Sequence, residues 1–152
     1  MKFKPETLMD IAFSIAKESK CIKCKVGCVI EKDGSIIATG CNGTTTGARN
    51  CCQVGLMKDW DMNNPAHRLE HREWSEVNEI HAEMNAIMTA KENIRGANVY
   101  VTVEPCNHCA KNLVQGGVKS VTYSHSKGAG AEFMKKHGVS VRHMPTEEQP
   151  WT

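Results

Sequence analysis

Two short stretches of the chain have to meet in space, and that requirement limits the fold more than any other feature. His81-Ala82-Glu83 opens the run IHAEMNAIMTAKENI, and Pro105-Cys106-Asn107-His108-Cys109 follows the apolar run ANVYVTVE. His81, Cys106 and Cys109 together make one imidazole and two thiolates, a set that holds a catalytic zinc and leaves a fourth position for water. Each group falls at the first turn of an expected helix, so two positive helix ends would face the metal and favour thiolates there. Zinc lowers the pKa of bound water from about 15.7 to roughly 7, on the order of 12 kcal/mol. Two thiolates cancel the metal's formal charge, which reduces that shift and calls for a nearby base. Glu83, in the same first turn as His81, is the residue for that role. Either half alone is commonplace, as a structural zinc half-site, a redox pair or a solvated helix start. The combination points to a catalytic metal.

A chain of 152 residues is one domain's worth. Its formal net charge of +2 comes from nearly balanced acids and bases without a long basic run. That weighs against a polynucleotide partner and admits a small anionic one. Eight cysteines with no apolar leader segment, several of them at metal-ligand spacing, fit a reducing cytoplasm better than a disulfide scaffold. No apolar run approaches a membrane span, so a soluble protein is expected.

Pro5 to Glu18 carries Leu8, Ile11, Ala12, Ile15 and Ala16 at helical spacing behind a first-turn proline. Residues 25–40 form two apolar runs joined by Asp33-Gly34, a hairpin signal, with Cys28 as a small core residue. Gly40-Cys41-Asn42-Gly43-Thr44 leaves the second strand as a glycine-rich loop. After His81 the pattern alternates: helix to about 94, strand 98–103, the Cys106 helix to about Gln115, strand 119–123, helix 129–137 and strand 139–142. Helices alternating with strands after a hairpin predict a mixed α/β sheet covered on both faces. Residues 1–144 are expected to form the single domain, with 145–152 a loose tail.

Between Thr45 and Glu79 the periodicity fails, and an irregular insertion of that length is commonly functional or stapled. His67 and His71, four apart, share a helical face and present a second metal site. Cys21, Cys24, Cys51 and Cys52 offer thiolates to complete it; ordinary buried cysteines and solvated histidines are the alternative.

The His-x-Glu and Pro-Cys-x-x-Cys pair is the signature of zinc-dependent deaminases. With Lys25-Val-Gly-Cys-Val-Ile, Ala38-Thr-Gly-Cys-Asn-Gly, Asn50-Cys-Cys, Asn78-Glu-Ile-His-Ala-Glu-Met-Asn-Ala-Ile and Val103-Glu-Pro-Cys-Asn-His-Cys, the chain resembles the deoxycytidylate deaminases, the bacteriophage forms especially, from about residue 7 to 143. The resemblance implies a cytidine-deaminase-like three-layer α/β/α fold with a mixed five-stranded sheet. It implies hydrolysis of dCMP to dUMP and ammonia for thymidylate synthesis, with water activated on the zinc attacking C4 while Glu83 protonates N3 and then the departing amine. A structural zinc is implied on Cys21, Cys51, His67 and His71, stapling an insertion over 44–80. Among substrate contacts, Asn42 resembles the residue that holds the sugar hydroxyl, with Thr44 beside it. Ala82 would meet the base edge through its backbone, and Glu104 would line the sugar side. Lys25 is a phosphate partner or a solvated lysine, and Tyr123 borders the base or belongs to the core or an interface.

Family members of this type are hexamers, activated by dCTP with a divalent ion such as Mg2+ and inhibited by dTTP. The effector loop corresponds to Gly40, Asn42 and Gly43, where Cys41 replaces the family's common tyrosine and removes an apolar surface for a nucleotide. The protein is expected in the cytoplasm, that of the host if the chain is viral. The competing readings are a deaminase of the same fold acting on a nucleoside or a tRNA base, and a zinc module without turnover; Glu83 speaks against the last.

Overall fold

The computed structural model describes residues 2–150. Helix α1 (Pro5–Ala16) starts at the first-turn proline and buries Leu8, Met9, Ala12, Phe13 and Ala16. Strands β1 (Gly27–Lys32) and β2 (Ser35–Cys41) form the expected antiparallel hairpin. Asp33 (φ 51°) and Gly34 (φ 85°) turn it, two consecutive left-handed residues of the kind a tight primed turn requires.

Next comes a two-residue strand, β3 (Gly43–Thr44), and then the stretch expected to be irregular. It is instead largely helical: α2 (Cys51–Met57) and α3 (Pro65–Asn78) precede β4 (Glu79–Ile80), which pairs antiparallel with β3. The helices escaped the periodicity because α2 is only seven residues long and their apolar residues do not mark a buried face: Leu56, Met57, Leu69 and Val77 are all exposed. His71 is the one buried residue of α3, and α2 buries only Cys51, Val54 and Gly55. Caps define them instead: Asn50 and Gln53 form a reciprocal capping box, and Asn64 caps α3 ahead of Pro65.

The remaining elements are α4 (Ala82–Thr89), β5 (Asn98–Val103), α5 (Asn107–Gly116), β6 (Ser120–His125), α6 (Gly130–Lys136) and β7 (Ser140–His143). Of these, α4 is shorter than expected and ends at Ala90, whose backbone is extended (ψ 135°). The five-stranded sheet has the order β2-β1-β5-β6-β7. β1 is antiparallel to both neighbours, and β5, β6 and β7 run parallel.

Strand alternation divides the core into two layers. Val29 and Tyr100 pack with Leu8, Met9, Ala12 and Phe13 of α1. Cys28, Ile30, Val99, Val101 and Val121 pack on the other face with Ala82, Ala86, Ala110, Leu113 and Met134. The expected mixed, three-layer α/β/α architecture is therefore present. Its parallel part sends β5 into Pro105-Cys106 and β6 into the 126–129 loop, so both connections open at one edge, where open α/β sheets bind ligands.

The tail is not loose. Met144 N–H donates to Tyr123 O (2.7 Å), the Thr146 and Ser124 hydroxyls are 2.9 Å apart, and the His125 ring meets the Glu148 carbonyl. Pro150 is buried and its carbonyl accepts from Lys25 N–H at 2.7 Å. This docking runs largely through backbone carbonyls, which leave no mark in composition; Trp151 and Thr152 lie outside the described residues. Among those described, no helix is long and apolar enough to cross a membrane, and all eight cysteines are free thiols.

Candidate active site

His81 is the N-cap residue of α4 and Cys106 that of α5, so two helix starts converge, as expected. His81 Nδ1 lies 3.5 Å from Cys106 Sγ and 3.3 Å from Cys109 Sγ. Cys109 N–H donates to Cys106 Sγ at 3.5 Å. Hydrogen bonds from Cys109 and then His81 hold the Cys106 thiol down to about 3, whereas Cys106 and burial push Cys109 far up. His81 is raised, chiefly by Cys106. One thiolate therefore shares its charge with a thiol and an imidazole, an arrangement that a soft divalent cation completes by displacing the protons. These residues fit zinc.

Glu83, 4% exposed, lies in the first turn of α4. Burial pushes its carboxyl up to about 6, against the pull of its own backbone N–H and of His81. A carboxyl poised near neutrality can both take and return a proton.

Beside this group opens a cleft of about 710 Å³. Asn42, Ala82 and Glu104, all expected substrate contacts, line it. Asn42 builds the wall: its Oδ1 accepts from Val26 N–H and its Nδ2 donates to Cys24 O, both at 2.9 Å. Glu104 directly follows β5 and accepts five hydrogen bonds, from Ser126 Oγ and from the N–H groups of Lys127, Gly128, Ala129 and Ala131, at 2.7–3.1 Å. Burial raises its carboxyl, but the bonds from Gly128, Lys127, Ala131 and Ser126 outweigh it and bring Glu104 to about 2.

The other expected contacts lie elsewhere. Lys25 is outside the lining, with its N–H on the tail. Thr44 pairs with Glu79 in the β3–β4 ribbon. Tyr123 is buried in the core and stacked on His143 at 4.9 Å and 18°. Gly40 is a packing residue: a Cβ there would lie 2.5 Å from Ala86 N and 2.6 Å from Ala82 O, on the backbone of α4. Gly43 has open space around it. Lys23 and Lys127 do line the cleft. Sequence reasoning passed over both because an isolated lysine in a loop carries no motif.

A second group of donors shares the cleft. His71 Nε2 lies 3.2 Å from Cys51 Sγ, 3.7 Å from Cys21 Sγ and 3.9 Å from Glu79 Oε1. The fourth donor is Glu79, not His67. Four residues along a helix is a rise of about 6 Å, enough to put His67 at the far end of the turn. There its Nδ1 accepts from Asp61 N–H at 2.8 Å and ties down the loop before α3. Burial raises the Glu79 carboxyl, and its Oε2 and His71 Nδ1 are buried without a hydrogen-bond partner. A buried carboxylate beside two thiols with no cation is costly, and a metal relieves it. Cys24, pushed up to about 11 by burial, and the exposed Cys52 stand outside the group.

A mixed sheet whose strand-to-helix connections bring an imidazole, two thiols and a buried carboxyl to one cleft defines a class of metal-dependent hydrolases that act on amino-substituted rings. Within that class the sequence is specific. The family model for the cytidine and deoxycytidylate deaminase zinc-binding region matches residues 3–125, and the chain belongs to this family. It is 38% identical to the deoxycytidylate deaminase of Enterobacteria phage T4 over 174 aligned positions, covering 93% of this chain and 90% of that protein. Among solved structures, the dCMP deaminase of cyanophage S-TIM5 in complex with dCMP and dUMP superposes with a TM-score of 0.74 at 32% identity, covering 93% of this chain and 99% of that one. A tRNA:A34 deaminase, at 21% identity and a TM-score of 0.58 over 91% and 98% of the chains, shares the fold alone.

Proposed function

We propose that this protein hydrolyses dCMP to dUMP and ammonia. The observation that carries the reading is the buried Glu83 carboxyl one turn from three convergent zinc ligands, in a chain similar over nearly its whole length to deaminases of that nucleotide. His81, Cys106 and Cys109 would hold the zinc, which when bound would supply the Lewis acidity that makes water nucleophilic near neutral pH. Glu83 accepts one proton from the attacking water and delivers it to N3 of the ring, then takes the remaining proton of the new C4 hydroxyl and passes it to the amine, which leaves as ammonia as C4 becomes a carbonyl. The Ala82 backbone meets the base edge, and Asn42, its amide fixed by Val26 N–H and Cys24 O in the cleft wall, holds the sugar hydroxyl.

Cys21, Cys51, His71 and Glu79 hold a second, structural zinc in this reading, supported by the unpartnered Glu79 and His71 atoms. The family resemblance supplies the regulatory part: a hexamer activated by dCTP with Mg2+, inhibited by dTTP, and feeding dUMP to thymidylate synthesis in the cytoplasm. Ammonia release from dCMP, deoxycytidine and dCTP, measured side by side on zinc-loaded protein, tests the substrate. A strong preference for dCMP is expected. Equal turnover of all three, or none, refutes it.

A further inference from the structure

The peptide unit that joins Cys24 to Lys25 is held from two sides. Its carbonyl accepts from Asn42 Nδ2 at 2.9 Å, and its N–H donates to the Pro150 carbonyl at 2.7 Å. A trans peptide is planar and its two polar groups point opposite ways, so an anchor on one orients the other. The next N–H along the chain, that of Val26, donates to Asn42 Oδ1 at 2.9 Å. Cys24, Val26 and Asn42 line the cleft, and Pro150 is buried behind them. A carboxamide has two N–H donors and two acceptor lone pairs on its oxygen; these contacts take one of each and leave one of each for a ligand.

The segment that carries Pro150 to this peptide starts at the far edge of the sheet. It leaves the edge strand β7 and crosses the C-terminal end of β6, where Met144 N–H meets Tyr123 O, the Thr146 and Ser124 hydroxyls pair, and the His125 ring meets the Glu148 carbonyl. Because β1 is antiparallel to β5, Lys25 at the entry to β1 lies at this same edge, beyond the end of β5. Residues 144–150 thus run along the edge on which the cleft opens, and they lie beyond the residues 3–125 that the family model matches.

Resting on the dCMP reading, we propose that Pro150 is a positioning residue for sugar recognition, carried by a strap of residues 144–150. Its carbonyl sets the Cys24–Lys25 peptide, the peptide sets the Asn42 amide, and the remaining N–H and lone pair of that amide receive the 3′-hydroxyl, the one free hydroxyl of dCMP. Without the strap the Lys25 N–H turns to water, the peptide is free to rotate, and the amide loses its fixed direction. The effect falls on recognition of the sugar, not on the zinc ligands or Glu83.

The test compares kcat/KM for dCMP and for 2′,3′-dideoxycytidine 5′-monophosphate, which lacks that hydroxyl, in zinc-loaded protein. Wild type is set against a chain ending at Met144, the full-length double variant Thr146→Val/His125→Phe, and Asn42→Ala. Removing the strap lowers the ratio of the two substrates by about threefold to tenfold, as expected for one neutral hydrogen bond, and does so through KM for dCMP more than through kcat. In an Asn42→Ala background the same shortening changes the ratio no further. The double variant keeps a ring against Phe13 and loosens the strap without removing it, so the ratio moves the same way. Should the shortened chain not fold, the double variant decides alone, and an unchanged ratio there overturns the proposal. An equal loss on both substrates, or a ratio that falls again in the Asn42→Ala background, also overturns it. If wild type deaminates neither substrate, the dCMP reading itself has failed. If wild type deaminates both equally well, the Asn42 contact and the strap's role fail while the dCMP reading stands.

Discussion

Gly40→Ala tests how closely β2 approaches the helix that carries Glu83. The new Cβ would stand 2.5 Å from Ala86 N and 2.6 Å from Ala82 O, and ordinary van der Waals contact begins at 3.4 Å, so 0.8–0.9 Å must be found. No flexible side chain is available to give way. Both obstructing atoms are backbone atoms of α4, at Ala82 and Ala86, which are 1% and 0% exposed. The helix or the strand must therefore move as a unit, and overpacking of this kind costs about 1–3 kcal/mol. For a chain of this length that lowers Tm by about 2–12 °C. Because α4 begins at His81 and holds Glu83 in its first turn, a shift approaching 1 Å also misplaces the carboxyl and should cost up to about a hundredfold in kcat. The assay is thermal melting of zinc-loaded protein together with steady-state ammonia release. Gly43→Ala, in open space with no left-handed backbone, is the control and should leave Tm within about 1 °C. Should Gly40→Ala melt with wild type and retain kcat within twofold, the packing argument fails and Gly40 belongs to an effector loop alone.

Glu83→Gln should retain the wild-type zinc content and lose nearly all turnover, since an amide cannot accept the water proton; retained turnover would remove its acid–base role. Glu79→Ala should lose one zinc and His67→Ala none, read by metal analysis after dialysis, and the opposite pattern would restore His67 to the second site. The Glu104 carboxyl is held below its ordinary value of 4.5, so its stabilisation is complete above that pH and disappears as pH falls through about 2. Allowing for solvent screening, that is worth about 2 kcal/mol. The stability gap between wild type and Glu104→Gln in urea should thus narrow from pH 7 to pH 3, and a constant gap would show that the five hydrogen bonds do not act through ionisation.

The parts of the site that were legible in the sequence are those made locally. His81 with Glu83 and Cys106 with Cys109 each sit within a turn of a helix start, so spacing places each pair and their combined motif implies that the two meet, and Asp33-Gly34 declares its hairpin. Glu79 was not legible, because its partners Cys21 and Cys51 come from distant parts of the chain and only tertiary burial singles it out. His67 misled because a four-residue spacing records a shared face and not how far along the helix the partners lie. Helices α2 and α3 were hidden because α2 is only two turns long and the apolar residues of both are largely exposed, although Asn50 and Asn64 were readable as caps. Lys25 and Lys23 look alike in sequence; the loop geometry that places only Lys23 in the cleft does not.

The β3–β4 ribbon has a consequence for how this chain can change. Gly43 pairs with Ile80 and Thr44 with Glu79, so the whole helical insertion leaves and re-enters the domain through a two-residue neck. Loop-closure entropy grows only logarithmically, and doubling the length enclosed by such a neck costs about 0.6 kcal/mol. Residues can therefore be added or removed in the loops beyond the neck at little thermodynamic expense so long as Cys51 and His71 still reach Cys21 and Glu79, while Glu79 in the neck and His81 just after it keep their register with the cleft.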